Sequence, residues 1–190
     1  FSFYRNQNKF FGLTGYAPKN IAKIKNSSHL DTFLSHRSCS WSFGSNPKIV
    51  NYFFDFIKKN KTDEIGKILL ENKSKIGGDI YEHYLLDQKT NKYLIGYIWI
   101  AFMVKNDGLF VFPSEHLVSF YGNDEYAINH PGNNISIISE CDSKFSENTN
   151  INFKLIKDYT SKDNNIIVKY WNPDILQKIS NKNIKIIKLK

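Results

Sequence analysis

Apolar residues recur along this chain in two rhythms. In the first half the spacing is helical. Asn46-Pro47 reads as a helix start, a capping residue followed by proline at the first helical position. Ile49, Val50, Phe53, Phe56 and Ile57 then fall on one face, up to Asn60. Residues 62–73 predict a second helix, with Asp63 and Glu64 in its first turn, Ile65, Ile68 and Leu69 facing inward, and Gly77-Gly78 as its stop. The second half reads as strands. Residues 97–104 form a near-continuous run of Ile and aromatic side chains, which predicts a strand buried on both faces. Asn106-Asp107-Gly108 is a turn, because Asn and Gly tolerate positive φ, and residues 109–112 return as a short strand. Residues 79–86, 135–138, 152–156, 166–171 and 184–189 predict further strands, and residues 1–5 a short N-terminal strand closed by Arg5. Residues 6–28 are loop-rich, with turns at Gly15 and Pro18. Residues 33–42 begin apolar and become dense in hydroxyls, as a strand entering a polar loop would. The pattern is α+β, with helices in the first half.

Length changes this picture little: 190 residues suit one domain, 1–190, with a real core, and no repeat or low-complexity tract divides it. The net charge of +8 admits nucleic acid, acidic lipid or acidic protein as partner. The lysines are scattered, however, and dense only at the C-terminus, which reads as solvated surface. There Ile184, Ile186 and Leu189 alternate with Lys182, Lys185, Lys188 and Lys190. Residues 175–190 are thus either a lysine-guarded edge strand or a docking tail. No apolar run reaches the roughly 18 residues of a transmembrane segment. The chain starts at Phe1 without a signal peptide. That fits a mature, exported protein, and a fragment boundary would look the same. The two cysteines, Cys39 and Cys141, lack metal-ligand spacing, so no metal is expected. Export would favour one disulfide between them; a cytosolic setting would leave two buried thiols.

No Ser-His-Asp spacing, nucleophile elbow, Walker loop or GxGxxG stands out. What remains is an ordered trio: Arg5 on the first strand, a Ser-rich segment before a helix, and Glu125 before a late strand. Asn123 and Glu125 are two residues apart. In an extended segment both would face one cleft; a solvated loop acid beside a turn Asn would carry the same letters.

The order resembles the bacterial ADP-ribosyltransferase toxins, in particular A subunits of the pertussis, typhoid and cholera type. Phe3-Tyr4-Arg5 resembles their opening strand, and Gly15-Tyr16-Ala17-Pro18-Lys19 the Gly-Phe-x-Pro-Arg segment after it. Ser35-His36-Arg37-Ser38-Cys39-Ser40 resembles their Arg-Ser-Cys region, and Asn106-Asp107-Gly108-Leu109-Phe110 their Asn-Asn-Phe-Tyr hairpin. Asn123-Asp124-Glu125-Tyr126, with the turn at Pro131-Gly132, resembles their Gln-x-Glu-Tyr and the Pro-Glu-Asn-Ile that follows. The likeness covers about residues 1–140. The chain departs from the family after Tyr4-Arg5, where Asn6-Gln7-Asn8-Lys9 replaces an Asp and a second Arg, and at the serines, where only Ser40 and Ser42 (or Ser35) are available.

The resemblance implies a split-sheet ADP-ribosyltransferase core and cleavage of NAD at the nicotinamide–ribose bond, with NAD as substrate and no metal. It implies that Glu125 bonds the ribose and meets the developing oxocarbenium charge, and that Arg5, with Tyr4 beside it, clamps the pyrophosphate. Ser40 or Ser42 would position Glu125, and Asn123 would orient the acceptor. It further implies a secreted virulence protein acting in the host cytosol on a host protein or nucleic-acid acceptor. A B-subunit oligomer and a Cys39–Cys141 disulfide that restrains the site also follow from it. Two other readings stay open. A basic nucleic-acid-binding or nuclease domain would use the +8 charge and aromatics such as Trp41, Trp99 and Trp171. A catalytically inactive relative would serve as a binding subunit.

Overall fold

A computed structural model describes residues 3–4, 6–17, 31–40, 42–90, 95–115, 117 and 154–170. Asn46 caps the first helix as its sequence predicts, its side chain accepting from Lys48 N–H at 2.9 Å, with Pro47 opening α1 (Pro47–Lys59). Phe53 and Phe56 carry its buried face. Next comes α2 (Thr62–Glu71), where the Glu64 carboxylate accepts from Lys61 N–H at 2.8 Å. A one-turn helix, α3 (Lys73–Ile76), follows and stops at Gly77, whose φ of 87° suits glycine.

Five expectations change. Residues 79–86 are not a strand but part of α4 (Gly78–Thr90). Asp79 is buried at its start, and Ile80, Tyr84 and Asp87 are buried along it, spaced four and three apart on one helical face. The apolar run 97–104 lies in a helix, α5 (Ile95–Lys105), not a two-sided strand. Such a run has no polar face, so its periodicity cannot separate a buried strand from a buried helix. Here it is covered all round: α1, α2 and α4 pack against it, and Phe102 meets Phe11 of the sheet at 5.0 Å between ring centroids. The described part of the predicted strand at 166–171, residues 166–170, falls in α6 (Ser161–Tyr170), where Asn164 and Ile167, three apart, are buried. The predicted strand at 152–156 runs, in its described part, into a 3₁₀ turn (Ile156–Asp158). At the N-terminus, Phe3 and Tyr4 lie in a turn closed by Gln7 N–H to the Tyr4 carbonyl at 2.8 Å, not in a strand. The predicted strands at 135–138 and 184–189, and the tail at 175–190, lie outside the described residues.

The sheet has order β1-β3-β2, formed by β1 (Phe10–Leu13), β2 (Thr32–Ser35) and β3 (Leu109–Pro113). The predicted return strand after Asn106-Asp107-Gly108 is thus present, but the turn joins a helix to it rather than two strands. β1 runs parallel to β3 with a bulge between Phe10 and Gly12, and β2 runs antiparallel. Side chains alternate across β2 and β3, and the bulge interrupts the alternation in β1. Phe11, Phe33, Phe110 and Phe112 enter the main core with the helices, whereas Phe10, Leu34, Leu109 and Val111 face a smaller core with Tyr4 and Ile156. No described helix is long and apolar enough to cross a membrane. The architecture is α+β.

Candidate functional site

Strand direction gathers one cluster. Because β1 and β3 are parallel, Lys9, which precedes β1, and Asp107, two residues before β3, come to the same end of the sheet. Leu109 N–H donates to the Lys9 carbonyl at 2.7 Å, and the Lys9 ammonium pairs with Asp107 Oδ2. Because β2 is antiparallel to β3, the residue after it, His36, arrives at that end too. His36 Nδ1 lies 2.9 Å from the Gly108 carbonyl, and Nε2 lies 3.8 Å from Asp107 Oδ1. A carbonyl only accepts, so neutral His36 carries its proton on Nδ1 and turns the Nε2 lone pair toward Asp107. Tyr159 meets the imidazole edge-on at 5.4 Å.

The charges in this cluster are tuned by burial and by each other. Burial pushes the His36 pKa below its ordinary 6.5, opposed by the Gly108 carbonyl and Asp107 and aided by Lys75 and Lys9. The hydrogen bond from Lys9 holds Asp107 below the usual carboxylate range. Lys9 and Asp107 also have φ of 66° and 50°, in the left-handed region that few side chains adopt.

A cleft of about 790 Å³ opens over this corner. Gln7, Asn8, Lys9, Asp107 and Lys157 are its polar lining; Phe3, Leu109, Leu155, Ile156 and Tyr159 are its apolar lining. The volume suits a small organic ligand, and two lysines against the one carboxylate of Asp107 favour an anionic one. No group of His, Cys, Asp and Glu that could hold a metal occurs among the described residues.

Behind the cluster lies a buried polar network. Asn164 Oδ1 accepts from Ser35 Oγ at 2.8 Å and from His36 N–H at 3.0 Å, and its amide donates to the Lys75 carbonyl at 2.7 Å. Arg37 N–H donates to Ser35 Oγ at 3.0 Å. The Arg37 guanidinium donates twice to Asp79, at 2.7 Å each, and to the Ile76 carbonyl at 2.9 Å. The Ser35-His36-Arg37 stretch therefore pins β2 to α3, α4 and α6.

Of the residues expected in the site, Tyr4 is fully buried, its hydroxyl donating to the Lys154 carbonyl at 2.8 Å and lying 3.2 Å from Thr32 Oγ1. Burial raises its pKa to about 12. Ser40 and Ser42 are exposed, on the loop after β2, and neither lines the cleft. Ser35, the alternative, is fully buried in the network. Cys39 is buried. Arg5, Asn123, Glu125, Cys141, Trp41 and Trp171 lie outside the described residues. Trp99, a candidate nucleic-acid contact, is buried against Phe53 and Phe102 and is no surface platform.

Lys9, His36 and Asp107 were not singled out by sequence reading as one site, because 98 residues separate Lys9 from Asp107. The signal within reach is the Asn106-Asp107-Gly108 turn, which the sequence marks by its shape and by its likeness to the family's hairpin. Comparison of the chain with protein-family models, with curated proteins and with solved structures returns no match.

Proposed function

We propose that the chain is an NAD-dependent mono-ADP-ribosyltransferase toxin subunit, which cleaves NAD at the nicotinamide–ribose bond and transfers ADP-ribose to a host acceptor. The ordered set Tyr4-Arg5, Arg37-Ser38-Cys39 and Asn123-Asp124-Glu125 supports this reading from the sequence. One structural observation carries it further: Phe3 and Gln7, the near neighbours of Arg5 in the chain, both line the cleft. Buried Tyr4 anchors that turn, so that a guanidinium beside it would work from a fixed base. Lys157 adds positive charge for a pyrophosphate, Lys9 being paired with Asp107, and the apolar lining would take a nucleoside ring.

In this reading Arg5 clamps the pyrophosphate, Asn123 orients the acceptor, and Glu125 stabilises the oxocarbenium-like state. The split-sheet core that goes with this function requires more strands than the three described.

The test is release of nicotinamide from labelled NAD. Glu125→Gln keeps the shape and removes the charge, and should slow release by about 100-fold or more. Wild-type rates in that variant would end the assignment.

A further inference from the structure

We propose that the cleft is a pH-gated site for a small aromatic anion, in which Asp107 holds Lys9 back until His36 takes a proton. The two oxygens of one carboxylate serve two bases. Oδ2 pairs with the Lys9 ammonium, and Oδ1 faces His36 Nε2 at 3.8 Å. With His36 neutral, Lys9 is the cation that pairs with Asp107 among the described residues, and Lys75 adds only a longer-range attraction. A proton from solvent on Nε2 makes a second, buried donor beside the same carboxylate. The imidazolium then competes for Asp107, and the Lys9 ammonium is released to the cleft.

The groups facing His36 fit this gate. Asp107 favours its charge, Lys9 and Lys75 oppose it, and the Tyr159 ring and the Gly108 carbonyl complete its surroundings. Release of Lys9 therefore removes an opposing charge from His36. Anion binding and proton uptake reinforce each other, as linkage demands. Lys9 and Asp107 also hold positive φ at this contact, so the backbone is strained where the gate turns.

The cleft selects the ligand class. Lys157 is exposed on its wall and makes no ion pair with a described residue, so a second cation stands ready. Phe3, 42% exposed, and Tyr159 offer rings, and Leu155 and Ile156 offer aliphatic surface. A bare inorganic ion gains nothing from those side chains; an aromatic ring carrying an anionic group does.

The inference rests on reading the cleft as the ligand site. Its probe is not NAD, so its failure leaves NAD cleavage standing, and failure of cleavage leaves the gate standing. The probe is 1-naphthalenesulfonate, whose charge does not titrate, added to the full chain and followed by fluorescence from about pH 8 to about pH 5, the range in which histidine changes charge. Binding should tighten roughly tenfold as pH falls, the size usual for linked sites, and the change should lie below pH 6.5. Asp107→Asn, whose side chain tolerates positive φ, should bind tightly at both ends of the range. Lys9→Gln should bind weakly at both. Circular dichroism confirms the fold of each variant; if Asp107→Asn does not fold, His36→Gln replaces it and must flatten the profile. A flat wild-type profile, wild-type pH dependence in Asp107→Asn or in His36→Gln, or wild-type binding in Lys9→Gln overturns the proposal.

Discussion

Arg37 and Asp79 form a buried bidentate ion pair, both guanidinium nitrogens reaching the carboxylate at 2.7 Å. The pair ties the end of β2 to the start of α4 across the stop at Gly77. Its side chains are 4% and 9% exposed, so solvent screens it little. Asp79→Ala would leave Arg37 charged and buried without its counter-ion. A loss of about 3–5 kcal/mol is expected, read from urea unfolding at neutral pH. A loss within experimental error would mean that the pair contributes nothing to the fold.

Asn164 makes three hydrogen bonds, to Ser35, to the His36 amide and to the Lys75 carbonyl. Asn164→Ala would remove the acceptor from the buried Ser35 hydroxyl and His36 amide and the donor from the part-buried Lys75 carbonyl, each at a cost of about 1–3 kcal/mol. Destabilisation of about 3 kcal/mol or more is expected. Thermal melting of the variant alongside Ser35→Ala, which should lose less, checks the ranking.

The stability of the fold should fall on mild acidification because of His36. Burial depresses its pKa below 6.5, so the unfolded chain takes up a proton that the folded chain resists. Stability is therefore at its full value above pH 6.5 and declines as pH drops below it, levelling off once folded His36 is protonated too. Asp107 acts in a separate window: its depressed pKa contributes stability above the ordinary 3.8 that is lost as pH falls further. His36→Gln should flatten the upper decline and leave the lower one. Denaturant midpoints across pH measure both, and an unchanged upper slope in that variant would remove His36 as its cause.

Arg5→Lys keeps a charge and loses the planar fork that matches a pyrophosphate. NAD binding should weaken while the unfolding midpoint stays where it is, since Tyr4 anchors the turn through Thr32 and Lys154. Calorimetric titration with NAD, showing equal affinities, would count against a clamp at this position.

Local chemistry alone determined part of this protein. The Asn46-Pro47 start, the acidic first turn of α2, the stop at Gly77 and the Asn106-Asp107-Gly108 turn are each set by neighbours within four residues. The return strand at residues 109–112 also stood out, because polar turn residues mark where it begins. Tertiary structure decided the rest. The run 97–104 has no polar face to betray its period, and only its enclosure by α1, α2, α4 and the Phe11 ring makes α5 a helix. Buried Asp87 is held by the Tyr97 hydroxyl at 2.7 Å, a contact between helices that no local pattern announces. The same holds for the corner where Lys9, His36 and Asp107 meet. Their convergence follows from the parallel pairing of β1 with β3 and the antiparallel pairing of β2, which are choices of strand direction, and strand direction is invisible in residues read one segment at a time.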